Sequence, residues 1–250
     1  MAFQTVFKRV EKKYLLDEQQ YLALREKLKD YMTVDEYGET TICNIYYDTP
    51  EHILVRRSLE KPIYKEKLRV RSYGTPKPDG TVFVEVKKKF KGVVYKRRAS
   101  MKLPDSDRFT KGMPVGTKDK QIENELLYFM KFYKGIAPAM YLSYERIALF
   151  GNEDPALRVT FDRNILFREE DLRLESGSYG RTILPEGTRV MEIKITNAMP
   201  LWLAHMLDEL KIFPASFSKY GSAYTLVCKE KLAAKENENT EKKDKVTNCA

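Results

Sequence analysis

Five segments of this 250-residue chain alternate with a period of two, charged side chains on one face and aliphatic ones on the other. In 66–73, Lys67, Arg69, Arg71 and Tyr73 share a face while Leu68 and Val70 share the opposite one. Phe83, Glu85 and Lys87 stand opposite Val82, Val84 and Val86. Tyr144 shares a face with Arg146, Arg158 and Thr160 with Asp162, and Glu192 with Lys194 against Met191, Ile193 and Ile195. Eight segments in all read as strands: 40–47, 65–73, 81–88, 92–102, 140–150, 157–163, 188–195 and 222–228. Gly74 to Gly80 supplies one turn between them and Phe90-Lys91-Gly92 a tight hairpin. Three helices are expected: one capped by Asp17 and running to about Met32, one over 120–134, and one from Pro200 to near Lys211.

An alternating strand has two readings. The charged face can simply meet water, or the sheet can close on itself with that face inward. Eight strands with so few helices, and charges that are mostly Arg and Lys, favour the second. The expected fold is α+β, an eight-stranded antiparallel β-barrel with a few flanking helices. Enclosed cations repel one another unless the interior is wet and holds an anion. The formal net charge is +9, and the tail 229–250 contributes only +1 of it, so the excess belongs to residues 1–228. That stretch is expected to form one domain, and the charged tail a helical extension fraying into disorder.

Phosphate is the anion that this chemistry suits, since the planar fork of arginine contacts two phosphate oxygens at once and lysine adds point charge. Glu85 and Glu192, set among those bases, make poor phosphate ligands but suitable ligands for a hard divalent cation, Mg²⁺ or Mn²⁺. Periodicity leads this far, to a metal-assisted polyphosphate or nucleoside-triphosphate site in a closed β tunnel, and does not name the reaction.

Other classes find little support. No stretch reaches the roughly 18 apolar residues of a membrane span, the N-terminus lacks a signal-peptide apolar run, and a cytoplasmic chain is expected. Cys43, Cys228 and Cys249 have neither the number nor the spacing of a disulfide framework or a zinc site. His52 and His205 stand alone, and no Walker A, H-E-x-x-H or nucleophile-elbow motif is present. The run from Lys87 to Lys91 could serve nucleic acid or anionic lipid, but alternation puts only half of it on either face. Nucleic acid is therefore not the expected partner.

Six short motifs stand in order: Glu11-x-Lys13-Tyr14, Leu68-Arg69-Val-Arg71-x-Tyr73-Gly74, Val84-Glu85-Val-Lys87, Tyr144-Glu-Arg146, Glu192-Ile-Lys194 and Phe217-Ser218-Lys219-Tyr220. Over roughly residues 5–228 this series resembles the VTC domain, the polyphosphate polymerase domain of the vacuolar transporter chaperone complex and its bacterial relatives, in the CYTH or triphosphate tunnel metalloenzyme superfamily. The resemblance implies an eight-stranded tunnel in which the γ-phosphate of ATP passes to a growing inorganic polyphosphate chain. It implies Arg69, Arg71, Arg146 and Lys219 as catalytic cations. Phosphate contacts would come from Lys13, Lys67, Lys87 and Lys194, with Ser218 adding a hydroxyl and Tyr144 flanking Arg146. Arg57 resembles the basic residue that precedes the Arg-x-Arg strand. Glu192 resembles the metal-binding glutamate, with Glu85 second, and the metal would be Mn²⁺ or Mg²⁺.

One position departs from the wider superfamily. Its triphosphatases and cyclases begin Glu-x-Glu-x-Lys, whereas this chain has Arg9, Glu11 and Lys13. That favours the polymerase branch over a triphosphatase or nucleotide cyclase. A non-catalytic module that binds polyphosphate or an inositol polyphosphate stays open, as does RNA binding. No membrane module accompanies the domain, so a translocation role would need a membrane-protein partner.

Overall fold

The computed structural model describes residues 10–91, 93–196 and 198–247; Arg9, Gly92 and Cys249 lie outside them. The elements run β1 (Val10–Leu16), α1 (Glu18–Leu28), β2 (Met32–Asp48), α2 (Ile53–Leu59), β3 (Tyr64–Tyr73), β4 (Thr81–Phe90), β5 (Val93–Lys102), α3 (Leu103–Phe109), α4 (Lys120–Phe132), β6 (Ala137–Gly151), β7 (Arg158–Arg168), β8 (Arg181–Thr182), β9 (Arg189–Ile195), α5 (Leu201–Glu209) and α6 (Lys219–Thr247). Every pairing is antiparallel, in the order β1-β9-β7-β6-β2-β3-β4-β5, with the two-residue β8 beside β7.

The sheet curls until its two ends face each other. Glu11 of β1 accepts a hydrogen bond from Lys87 of β4 at 2.9 Å, although five strands lie between β1 and β4 in the sheet order. Side chains, not a backbone ladder, span this gap. The expected antiparallel tunnel is therefore present, but among the described residues its wall is not closed by β1–β5 pairing as a strict barrel would be.

The aliphatic faces point outward, beneath helices. Leu68, Val70, Val84 and Val86 pack with Leu126, Phe129 and Met130 of α4. Val159, Met191 and Ile193 pack with Leu24 and Leu28 of α1 and Leu203 and Leu207 of α5. Each such buried aliphatic contributes roughly 1.5–3 kcal/mol, so the helices fix which face is left to line the interior.

Two sequence expectations are corrected. Residues 222–228, read as a strand, lie within α6. Tyr224, Thr225 and Val227 carry strand propensity, but Tyr220, Ala223 and Val227 recur at helical spacing and are buried against Tyr46 and Tyr144 on the inner face of the sheet, so packing overrides propensity. The strand that takes its place is β1, which carries Glu11-x-Lys13-Tyr14 and is absent from the eight segments read as strands; it leads through the capping Asp17 into α1. It pairs with β9 in the register Glu11↔Lys194 and Lys13↔Glu192. In addition, the first helix ends at Leu28, and Met32 opens β2.

Helix α6 is held at the tunnel by a buried carboxylate. Asp48 accepts the backbone N–H groups of Leu54 and Val55 at 2.8 and 3.0 Å, satisfying the start of α2, and accepts the Tyr220 hydroxyl at 2.9 Å. Residues 229–247 continue α6 as helix.

Candidate functional site

Pleating sends Lys67, Arg69 and Arg71 from β3 into the tunnel, where they meet Lys13 of β1, Lys87 of β4, Tyr144 and Arg146 of β6, Glu192 and Lys194 of β9, and Ser218 and Lys219 at the start of α6. These eleven expected residues line one cavity of about 570 Å³. Ten basic residues and two carboxylates, Glu11 and Glu192, line it, so the interior is an anion site by simple count. A second cavity of about 570 Å³ adjoins it, sharing Lys13, Lys67, Lys87 and Ser218 and adding Lys61, Lys65 and Lys89. The lysine run at 87–91 is split as alternation requires: Lys87 and Lys89 face inward, while Lys88 turns outward to Glu66.

Buried acids and phenols hold the arginines in place. Glu85, 1% exposed, accepts Arg69 Nε at 2.8 Å and Lys96 Nζ at 2.7 Å, and also bonds Arg98. Arg71 donates from Nε to Asn44 Oδ1 at 2.8 Å and from Nη2 to the Tyr144 hydroxyl at 2.9 Å. Arg69 donates to the Tyr46 hydroxyl at 3.1 Å. Asp162, fully buried on β7, grips Arg146 with both oxygens and also bonds Lys219. Tyr144 stands between the cations, its ring 5.1 Å from the Arg146 guanidinium and 4.4 Å from the Lys219 ammonium. Ser218 Oγ accepts Lys67 Nζ at 2.8 Å and the Gly221 N–H at 3.1 Å, so one hydroxyl both caps α6 and orients a lysine.

This crowding shifts proton affinities. Burial lowers Lys67 to about 8 despite the pull of Tyr46. Burial would raise the Tyr46 phenol, but the charges of Arg69, Lys67 and Arg71 outweigh it and bring it to about 7. Burial would likewise raise the Glu192 carboxyl, yet contact with Glu11 and the charges of Lys194, Lys13 and Arg146 hold it well below the usual carboxylate range.

A divalent cation fits one of the two expected ligands. Glu192 lies on the cavity wall beside Glu11, so two carboxylates face the phosphate space. Among the described residues no cluster of three metal-ligating side chains occurs, so the remaining ligands would be phosphate oxygens and water, the set that Mg²⁺ and Mn²⁺ accept. Glu85 does not fit this role. It is 1% exposed behind Arg69, off the cavity wall, and bonds Arg69, Lys96 and Arg98 directly, whereas the cations around Glu192 stand back at 3.2 to 3.9 Å.

Arg57 is also not brought to the tunnel. It lies on the outer side of α2, in a separate cavity with Glu66 and Tyr133. Conversely, sequence reasoning passed over Lys96, Arg98, Asn44 and Tyr46, and assigned Asp162 no task. The alternation of 92–102 places Lys96 and Arg98 on one face, a signal that the intervening Arg97 obscures.

The family model for the VTC domain matches residues 8–228. No curated protein sequence matches the chain. Among solved structures, a candidate adenylate cyclase from Bacillus halodurans is similar with TM-score 0.53 at 12% identity, covering 86% of this chain and 96% of that one. A candidate adenylyl cyclase from Hippeastrum, described as having a dominant triphosphatase activity, is similar with TM-score 0.52 at 14% identity, covering 85% and 93%. At such identities the likeness is one of fold, the triphosphate tunnel.

Proposed function

Because the chain belongs to the VTC domain family, we propose that it transfers the γ-phosphoryl group of ATP to the end of an inorganic polyphosphate chain and releases ADP. Family and fold together make it a polyphosphate-related tunnel enzyme of the phosphoryl-transfer kind. The observation that carries the polymerase reading is the second, lysine-lined cavity that continues the first. A triphosphatase or cyclase needs charge for three phosphates. A passage of lysines beyond the arginine cluster suits a longer linear polyanion.

In this reading a terminal oxygen of polyphosphate attacks the γ-phosphorus, the bond to the β–γ bridging oxygen breaks, and ADP leaves with that electron pair. The attacking oxygen is already ionised at neutral pH, so no general base is required, and catalysis is positioning plus charge stabilisation. Arg69, Arg71, Arg146 and Lys219 hold the transferred group, each preset by a buried partner. Lys13, Lys67, Lys87, Lys194 and Ser218 hold the phosphates on either side. Glu192, with Glu11 beside it, would hold Mg²⁺ or Mn²⁺, which when bound neutralises charge on the phosphate oxygens. No helix among the described residues is long and apolar enough to cross a membrane.

Product stoichiometry tests the proposal. With ATP, metal and a short polyphosphate primer, ADP should form with little free phosphate while the primer lengthens on a gel. Equal amounts of ADP and phosphate would make the protein a hydrolase, and pyrophosphate release would make it a cyclase.

A further inference from the structure

The rim of the outer lysine chamber carries large side chains that the fold leaves in water. Ile63 precedes β3, Tyr64 opens it and Phe90 ends β4, and they are 67%, 45% and 45% exposed. They stand together. Tyr64 pairs with Phe90 in the β3–β4 register, their rings meet edge to face at 6.5 Å, and the Lys91 N–H donates to the Ile63 carbonyl at 3.0 Å. Helix α4 covers Leu68, Val84 and Val86 on these strands but leaves Tyr64 and Phe90 open. Its own Tyr128 and Phe132 share one shallow cavity with Tyr64 and are 69% and 62% exposed. An exposed apolar patch of this kind marks an interaction surface.

The charges around these side chains are almost all of one sign. Segments 56–65 and 88–95 hold seven basic residues and a single acid, Glu60. Helix α2 forms a ridge, with Ser58 and Leu59 toward the tunnel and Leu54 and Arg57 on the other side. Lys61, Lys65 and Lys89 line the chamber, while Arg57 and Lys88 stand in the outer cavity. Lys91 follows β4, its ammonium 5.5 Å from the Phe90 ring. Glu66, also in the outer cavity, is 8% exposed, accepts the hydroxyls of Tyr64 and Tyr133 and pairs with Lys88, so it adds little negative field.

We propose that this rim is a docking surface for an anionic phospholipid bilayer. The cations draw the domain to the headgroups, and Ile63, Tyr64 and Phe90 enter the boundary between headgroups and acyl chains, an environment that suits a ring with one wet end. Ile63 and Leu59 favour lipid over nucleic acid, since an aliphatic side chain gives a base nothing to stack on. The lysine run is thereby divided between two tasks: Lys87 and Lys89 serve the interior, and Lys88, Phe90 and Lys91 serve the surface. Docking turns the mouth of the lysine chamber toward the membrane, whatever reaction the tunnel performs.

Co-sedimentation of the full chain tests this, with vesicles of phosphatidylcholine alone and of phosphatidylcholine and phosphatidylserine in equal parts. Wild type should bind the mixed vesicles and not the neutral ones, and added salt should weaken binding. The double variant Ile63→Ser, Phe90→Ser should bind them at least about tenfold more weakly, with tripolyphosphate affinity unchanged as the check on fold and tunnel. Lys88→Ser, Lys91→Ser, which keeps the apolar rim, should also lose about fivefold or more. No binding of wild type to mixed vesicles would overturn the proposal. So would equal binding by both variants, which would assign the attraction to the lysines of the tunnel. Retention of a single-stranded RNA without vesicle binding would make the rim a nucleic-acid surface and overturn it equally.

Discussion

Arg146 and Asp162 face each other across β6 and β7, the guanidinium Nε and Nη2 lying 2.6 and 2.7 Å from the two carboxylate oxygens. Lys219, the first residue of α6, bonds the same fully buried carboxylate. Burial would raise the Asp162 carboxyl, but Arg146 and Lys219 hold it below its ordinary value. One acid therefore fixes a cation from the sheet and a cation from the helix at the same end of the cavity, which lets two like charges stand together before any phosphate arrives.

Replacing that acid leaves both cations buried and unpaired. Asp162→Asn should destabilise the fold by about 3–5 kcal/mol, read from urea unfolding, and should weaken tripolyphosphate binding through loss of positioning. Because the carboxyl is shifted downward, its contribution is present at neutral pH and is lost as pH falls through the folded-state value, so the stability gap between wild type and variant should narrow in acid. An equal gap at pH 7 and pH 3 would contradict this account.

Glu192 and Glu85 should separate cleanly. Glu192→Gln should raise the Mn²⁺ or Mg²⁺ concentration needed for half-maximal turnover, and chelation of the metal should stop turnover in wild type. Glu85→Gln should leave the metal requirement in place and instead weaken phosphate binding, since it releases Arg69, Lys96 and Arg98. Metal titrations of the two variants distinguish the roles.

Arg71→Ala should cost several kcal/mol of transition-state binding, seen as a fall in kcat/KM of two orders of magnitude or more. Arg71→Lys should recover little, because one ammonium cannot bond both Asn44 and Tyr144 while meeting a phosphate. Steady-state kinetics of the pair checks it.

Phosphate affinity should fall with rising pH. Lys67, at about 8 when free, is raised by a bound anion, so binding is full below that value and weakens above it. Tyr46, at about 7, becomes a phenolate over the same range and adds opposing charge. Both signs agree. Tripolyphosphate should bind at least about tenfold more weakly at pH 9 than at pH 7, and Lys67→Arg combined with Tyr46→Phe should flatten the profile.

Much of this was legible because alternation is local. Lys67, Arg69 and Arg71 had to share a face once β3 was a strand, and the same holds for Glu192 with Lys194. Three things were not local. Whether the wall closes depends on how far the sheet curls, and the gap is spanned by Glu11 and Lys87, 76 residues apart in sequence. The end of the tunnel is formed by α6, whose Tyr224, Thr225 and Val227 carry strand propensity and become helical only through burial of Tyr220, Ala223 and Val227. Finally, Glu85 and Asp162 share their strand faces with cavity residues, yet their partners, known only from packing, make them supports for cations. Arg57 was displaced for a related reason: α2 turns it to the outer side of the ridge.

The central claim is phosphoryl transfer from ATP to polyphosphate, and phosphorus NMR of the purified protein with ATP, Mn²⁺ or Mg²⁺ and a short polyphosphate primer tests it most directly. The account predicts growth of the internal-phosphate resonance relative to the chain-end resonance as ADP signals replace those of ATP. Accumulation of orthophosphate with no internal resonance, or an ATP spectrum that stays unchanged while the protein remains folded, would contradict it.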